Sequence, residues 1–149
     1  MRFLAMALAA LTVFIQAAPA FAQGALPPHA WLFGTWTGGL FPVAAGVSPA
    51  VCFSQPVVIF TRDLVMRATL AEQTLTQREI ETVRATPTGL EFRLVAGGPG
   101  SSSLFASGAR GLAGFGCGSA DTLVVQRRGE NEISFPGCGE FPNPLVRCH

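Results

Sequence analysis

The sequence predicts an all-β domain in which antiparallel strands form an up-and-down meander and close into a small barrel of seven or eight strands. A β-sandwich is the alternative. Two patterns favour this fold class. Short runs of β-branched and aromatic residues recur along the chain, and turn-forming residues separate them, while helix signals are few. Closure into a barrel would also remove the exposed edges that a flat meander leaves.

Six runs carry the strand pattern most clearly: Trp31–Leu40, Val57–Thr61, Leu64–Leu70, Leu90–Val95, Asp121–Arg127 and Glu132–Phe135. The fourth run alternates apolar residues with Glu91 and Arg93, as a strand with one buried face does. The third also alternates, with Leu64, Met66 and Ala68 on one face and Val65, Arg67 and Thr69 on the other. The last two runs turn at Gly129-Glu130-Asn131 and predict a hairpin.

One further segment has two interpretations. Thr76-Gln77-Arg78-Glu79 matches a helix capping box. However, Thr86-Pro87-Thr88-Gly89 resembles a turn that leads into the run from Leu90, so the strand is the stronger hypothesis. Glu79 and Glu81 would then share one strand face. A solvated outer face is favoured there over paired catalytic carboxylates.

The first 22 residues have the pattern of a secretory signal peptide. Arg2 supplies a positive start, Leu4–Ile15 is an apolar run too short to span a bilayer, and Ala20-Phe21-Ala22 matches a cleavage site. We expect an exported bacterial protein, periplasmic or secreted, that is soluble after cleavage and forms one monomeric domain over residues 23–149. Without Arg2 the arginines balance the nine acidic residues, so the charge does not favour nucleic acid or an anionic membrane.

All four cysteines, Cys52, Cys117, Cys138 and Cys148, follow the signal. An even number in an exported chain predicts two disulfides, for which three connectivities exist. We favour Cys138 with Cys148, which would close the Pro-rich tail, and Cys52 with Cys117. A metal site is not expected, because there is no C-x-x-C pair and both histidines are remote in sequence.

Residues 97–118 form a Gly- and Ser-rich loop in which mobility is a simpler interpretation than a functional lid. Within it, Ser107-Gly108-Ala109-Arg110 is similar to the loop that small periplasmic lysozyme inhibitors insert into their target. That resemblance implies an interaction loop in which Arg110 would contact an exported hydrolase.

The stretch FGTWTGG, Phe33–Gly39, carries a second resemblance. Gly34-Thr35-Trp36 on a first strand, soon after an exported N-terminus, is similar to the opening strand of lipocalins and avidins, the calycin-type barrels. The resemblance implies that Gly34 lets the chain pack closely at the barrel floor and that Trp36 plugs it. It also implies that an arginine near the last strand, Arg127 or Arg147, covers the indole ring.

Candidate catalytic groups do not assemble in the sequence. His29 lies in the Pro-rich lead-in, His149 is the last residue, and no G-x-S-x-G or phosphate-binding loop is present. We therefore expect no enzyme and no cofactor. The first hypothesis is a lipocalin-like binding protein for a small apolar or aromatic ligand. The residues expected to line its site are Trp36, Phe60 or Ile59, Leu90, Phe92, Leu94, Leu123 and Val125. The alternative is a periplasmic protein-interaction module that acts through the Gly-rich loop.

Overall fold

The computed structural model describes residues 25–42, 52, 56–70, 75–96, 115 and 117–148. The predicted signal peptide, Arg110 and most of the Gly-rich loop lie outside these residues, so the predictions made for them stay predictions. Within the described ranges, no helix has the length and apolarity needed to cross a membrane.

The described residues form one short 3₁₀ helix, Ala30–Leu32, and eight strands. The strands are β1 (Gly34–Gly38), β2 (Val57–Phe60), β3 (Leu64–Ala68), β4 (Thr76–Thr86), β5 (Gly89–Leu94), β6 (Thr122–Arg127), β7 (Glu132–Ser134) and β8 (Leu145–Arg147). Each strand pairs antiparallel with the next one in sequence, and β8 pairs with β1, which closes the barrel. The predicted antiparallel meander closing into a barrel is therefore confirmed.

Two local features differ from the predictions, and one open choice is decided. The first strand starts at Gly34 rather than Trp31, because residues 27–33 form turns in which Leu32 N–H donates to the His29 oxygen. The strand β8 was not foreseen within the Pro-rich tail. Thr76–Thr86 is a strand, which confirms the stronger of the two hypotheses for this segment, and it has a bulge between Ile80 and Thr82.

The two ends of the barrel differ in the length of their connections. Residues 25–33 cover one end, which we call the lead-in end. The tight turns after β2, β4 and β6 lie there too. The connections after β1, β3, β5 and β7 are longer, and they leave and re-enter the barrel at the other end, which we call the long-loop end. The Gly-rich segment belongs to the connection after β5.

The inward faces of the strands supply a core of apolar side chains. Trp36 lies between Val58 of β2 and Arg147 of β8 in the strand register. On β3 the buried face is that of Val65 and Arg67. The largest fully buried side chains are Trp36, Phe60, Phe92, Phe115 and Phe141. A closed barrel of this size can be filled by its own side chains.

Two disulfides are present, but their pairing differs from the one we favoured. Cys52 is bonded to Cys148, and Cys117 to Cys138. Cys138 follows β7 at the long-loop end, whereas β8 carries the chain back to the lead-in end before Cys148. Those two cysteines are therefore held apart, and Cys138 instead meets Cys117, which precedes β6 at the long-loop end. Bridges of this kind belong to an oxidising, exported environment.

Candidate functional site

A column of aromatic rings occupies the barrel interior. Phe92 lies 5.5 Å from Phe60 between ring centroids, and Phe60 lies 6.4 Å from Phe135. Phe135 in turn contacts Phe141 and Phe115, at 5.4 and 6.4 Å. At the lead-in end the buried His29 ring stands edge-on to Phe92 at 5.4 Å. The column thus runs from one end of the barrel to the other.

The structure brings together the side chains that the sequence predicts as ligand-binding, and it packs them against one another. These side chains are Trp36, Phe60, Leu90, Phe92, Leu94, Leu123 and Val125, each at most 3% exposed and all in one cluster. Ile59, the alternative to Phe60, is only half-buried, because it lies on the opposite face of β2. The position of the seven buried side chains inside the barrel agrees with the alternation of apolar residues in the sequence. The contacts among these side chains are those of a packed core.

Trp36 and Arg147 close the lead-in end. The Trp36 indole N–H donates to the Leu32 oxygen at 2.8 Å, and the Arg147 guanidinium carbon lies 4.3 Å from the Trp36 ring centroid. Arg147 also donates to the main-chain oxygens of Phe33 and Trp31. Burial, and secondarily the positive charge of Arg127, lowers the pKa of Arg147.

Gly34 is required beside this arginine. Its φ of +117° lies where side chains are rarely tolerated, and a Cβ atom there would lie 3.6 Å from Arg147 Nη1. The positive φ therefore accounts for the glycine, whereas a contact of 3.6 Å is an ordinary one and does not by itself show the close packing that the resemblance implies.

Arg127, which the sequence analysis offers as a cover for Trp36, contacts the other tryptophan. Its guanidinium carbon lies 5.0 Å from the Trp31 ring centroid. Arg127 is the last residue of β6, opposite Ile133, and its exposed side chain reaches the half-buried Trp31 of the lead-in. Both arginines are the last residues of their strands and therefore lie at the barrel floor. Arg127 contacts the Trp31 ring, and Arg147 contacts the Trp36 ring.

A solvent-open groove of about 600 Å³ borders this second pair. Trp31, Arg127 and Arg128 line it together with the β4–β5 turn, Pro87–Gly89, and Gly129. Arg128 also lines a neighbouring groove of about 420 Å³ that runs along residues 134–139. Sequence reasoning missed these grooves. Their only signal is the consecutive pair Arg127-Arg128 beside a turn.

Two buried arginines occupy the long-loop end. Arg67 pairs with Glu140 at 2.7 Å and lies 5.7 Å from the Phe115 ring. Arg78 pairs with Asp121 at 2.6 Å and donates to the main-chain oxygens of Val95 and Ala120. Both arginines occupy positions whose side chains point into the barrel, since Arg67 is two residues after Val65 and Arg78 is paired with Val65. This alternation is the one sequence signal that could have identified them.

The described residues include no group of three or more His, Cys, Asp or Glu side chains that could hold a metal ion. The Glu79 and Glu81 side chains are exposed, and Glu81 pairs with Arg93 at 3.0 Å. This arrangement agrees with the solvated outer face expected for them.

The eight paired strands and the two disulfides define a small, disulfide-bonded antiparallel β-barrel. Comparison of the chain with protein-family models, with curated proteins and with solved structures finds no match. The function of this chain is therefore inferred from its own geometry.

Proposed function

We propose that this chain is an exported, non-enzymatic binding protein that recognises another exported protein through its surface, with the barrel as a rigid scaffold. One observation carries the proposal. The interior positions that would hold a small apolar ligand are occupied by contacting aromatic and aliphatic side chains along the whole column from His29 to Phe141. A filled interior favours an outer contact surface over an internal pocket.

Exposed apolar side chains indicate where this contact would be made. Leu40 and Phe41, after β1, are 36% and 51% exposed, and Leu70 and Leu75, between β3 and β4, are each 50% exposed. All four belong to connections at the long-loop end. Apolar groups gathered at the rim of a soluble barrel are typical of a protein contact surface. The Gly-rich loop with Arg110, predicted as an interaction loop, lies in sequence between β5 and β6, and Arg110 is outside the described residues.

The calycin-type resemblance is part of the proposal. Its support is the arrangement of Trp36 under Arg147, with the 3₁₀ turn Ala30–Leu32 in front of β1. The location is proposed to be the bacterial periplasm or the medium outside the cell. The two disulfides support an exported environment.

Native mass spectrometry of the chain purified from the periplasm of its own host tests the proposal. The expected result is a defined complex with one exported protein and no retained small molecule. The complex should be lost when Phe41→Asp places a charge in the rim. It should persist in Leu26→Asp, a matched change at an 80% exposed leucine of the lead-in.

Two results would overturn the proposal. One is a small apolar molecule released from the purified barrel, which would restore the internal-ligand hypothesis. The other is equal loss of the partner in both variants, because the contact would then have no relation to the long-loop end. Far-ultraviolet circular dichroism of both variants shows whether the barrel stays folded.

A further inference from the structure

We propose that the groove beside Trp31 is a binding site for an organic carboxylate, recognised by Arg127 and Arg128 at the lead-in end. The site lies at the opposite end of the barrel from the apolar rim, so it does not depend on the proposed function. Its volume of about 600 Å³ is in the range of sites for small molecules or for a few residues of a peptide.

The guanidinium of each arginine is held by a hydrogen bond from its Nε–H group, and its two terminal nitrogens take no part in that bond. Arg127 Nε–H donates to the Gly129 oxygen at 3.2 Å, and Arg128 Nε–H donates to Ser134 Oγ at 3.1 Å. Within the described chain, neither guanidinium takes part in an ion pair. Their terminal nitrogens therefore remain for a ligand, and the end of a guanidinium fork matches the two oxygens of a carboxylate.

The turn that carries these arginines is fixed by main-chain hydrogen bonds. Arg128 N–H and Gly129 N–H both donate to the Glu132 oxygen, at 3.0 and 3.1 Å, and Arg127 N–H donates to the Thr88 oxygen at 2.9 Å. The groove walls therefore come from two adjacent hairpin turns tied together. Binding would order little additional backbone, which lowers its entropic cost.

Local charge favours an anion. The guanidiniums of Arg127 and Arg147 are close enough for Arg127 to lower the pKa of Arg147, and Arg128 adds a third positive charge. Glu130 and Glu132 lie in the same turn but are exposed and form no ion pair with these arginines in the described structure. A bound carboxylate would reduce this repulsion between like charges.

Trp31 and Pro87 give the groove an apolar part. The Trp31 ring is already covered by Arg127 on one side and is half-buried, so it forms a wall and not a deep pocket. The preferred ligand therefore has a flat or apolar body next to its carboxylate. Benzoate represents a free small molecule of this kind, and a short glutamate peptide with alternating glutamate and phenylalanine represents an acidic segment of a protein.

The two tryptophans make the test specific, because the chain contains only two. In ¹⁵N-labelled protein, benzoate should shift the indole N–H signal of Trp31 and leave that of Trp36, which is bonded to Leu32 inside the barrel. Benzamide, which has the same shape without the charge, should shift neither. Higher salt should weaken the benzoate effect, since exposed charges are screened.

Matched variants identify the recognising groups. Arg127→Gln and Arg128→Gln should each weaken benzoate binding by about fivefold, the upper end for one exposed ion pair. Arg93→Gln, a 72% exposed arginine near the long-loop end of β5, should not change it. Tighter binding of the glutamate peptide than of benzoate would assign the carboxylate to a protein source. The reverse order would assign it to a small molecule.

The proposal is overturned if benzamide shifts Trp31 as much as benzoate does, or if neither anion shifts it. It also fails if both arginine variants bind as the unchanged protein does. None of these results bears on the partner complex at the long-loop end, which is measured separately through Phe41→Asp and Leu26→Asp.

Discussion

Arg147 covers the indole ring of Trp36, with its guanidinium carbon 4.3 Å from the ring centroid. The same guanidinium donates to the main-chain oxygens of Phe33 and Trp31. One side chain of β8 thus joins the last strand to β1 and to the lead-in. The closure of the barrel and the covering of its floor depend on the same contact.

Replacing Arg147 should therefore be costly. Arg147→Met keeps much of the apolar stem but removes the cation–π contact and leaves two main-chain oxygens without their donor. We expect a loss of about 3 kcal/mol in the free energy of unfolding, measured by urea denaturation followed by tryptophan fluorescence. Arg127→Met, on the half-buried Trp31, should lose only about 1 kcal/mol. Equal losses would contradict the special role of Arg147.

Gly89 offers a second test, because β5 and β6 approach closely at this residue. A Cβ atom on Gly89 would lie 2.0 Å from the main-chain oxygen of Val125, which cannot move without disturbing the β5–β6 ladder. Gly89→Ala should destabilise the barrel by about 2–3 kcal/mol, as overpacking does. Gly118→Ala, where a Cβ atom would have no neighbour within 4 Å, is the control and should change stability by less than about 0.5 kcal/mol. Thermal unfolding of both variants compares the two sites, and a tolerated Gly89→Ala would argue against this strand register.

The hairpins could be predicted because their signal is local. Leu90, Phe92 and Leu94 alternate with Glu91 and Arg93, and all three are buried in the structure. The turn Thr86-Pro87-Thr88-Gly89, which was recognisable from its residues, joins this strand to β4. Such features depend on residues a few positions apart, so the sequence alone contains them.

The missed features depend on residues that are remote in sequence. The three residues of β8 have no clear alternation and become a strand only because β1 and β7 lie on either side of them. The choice between Arg127 and Arg147 for Trp36 follows from the register of that closure. The Cys117–Cys138 bridge follows from the long-loop end that both of these cysteines reach. None of these could be read from a local pattern.

The disulfide pairing can be checked by mass spectrometry of peptides from a non-reducing digest. Linked peptides should contain Cys52 with Cys148 and Cys117 with Cys138. From the loop lengths, with sequence separations of 96 and 21 residues, we expect Cys→Ala pairs to cost about 5 and about 3 kcal/mol respectively. Recovery of a Cys138–Cys148 peptide would contradict the topology at the long-loop end.

The filled interior gives the last prediction. Phe92 is fully buried between His29 and Phe60, so Phe92→Ala should cost about 3–5 kcal/mol and leave an apolar cavity. Such a cavity stays dry and takes up small apolar molecules, so benzene should raise the melting temperature of the variant and leave that of the unchanged protein as it was. Phe92→Leu, which removes less volume, keeps the test usable if the alanine variant is too unstable. A benzene response of equal size in the unchanged protein would mean that the barrel already has internal space. The internal-ligand hypothesis would then be preferred to a surface-binding scaffold.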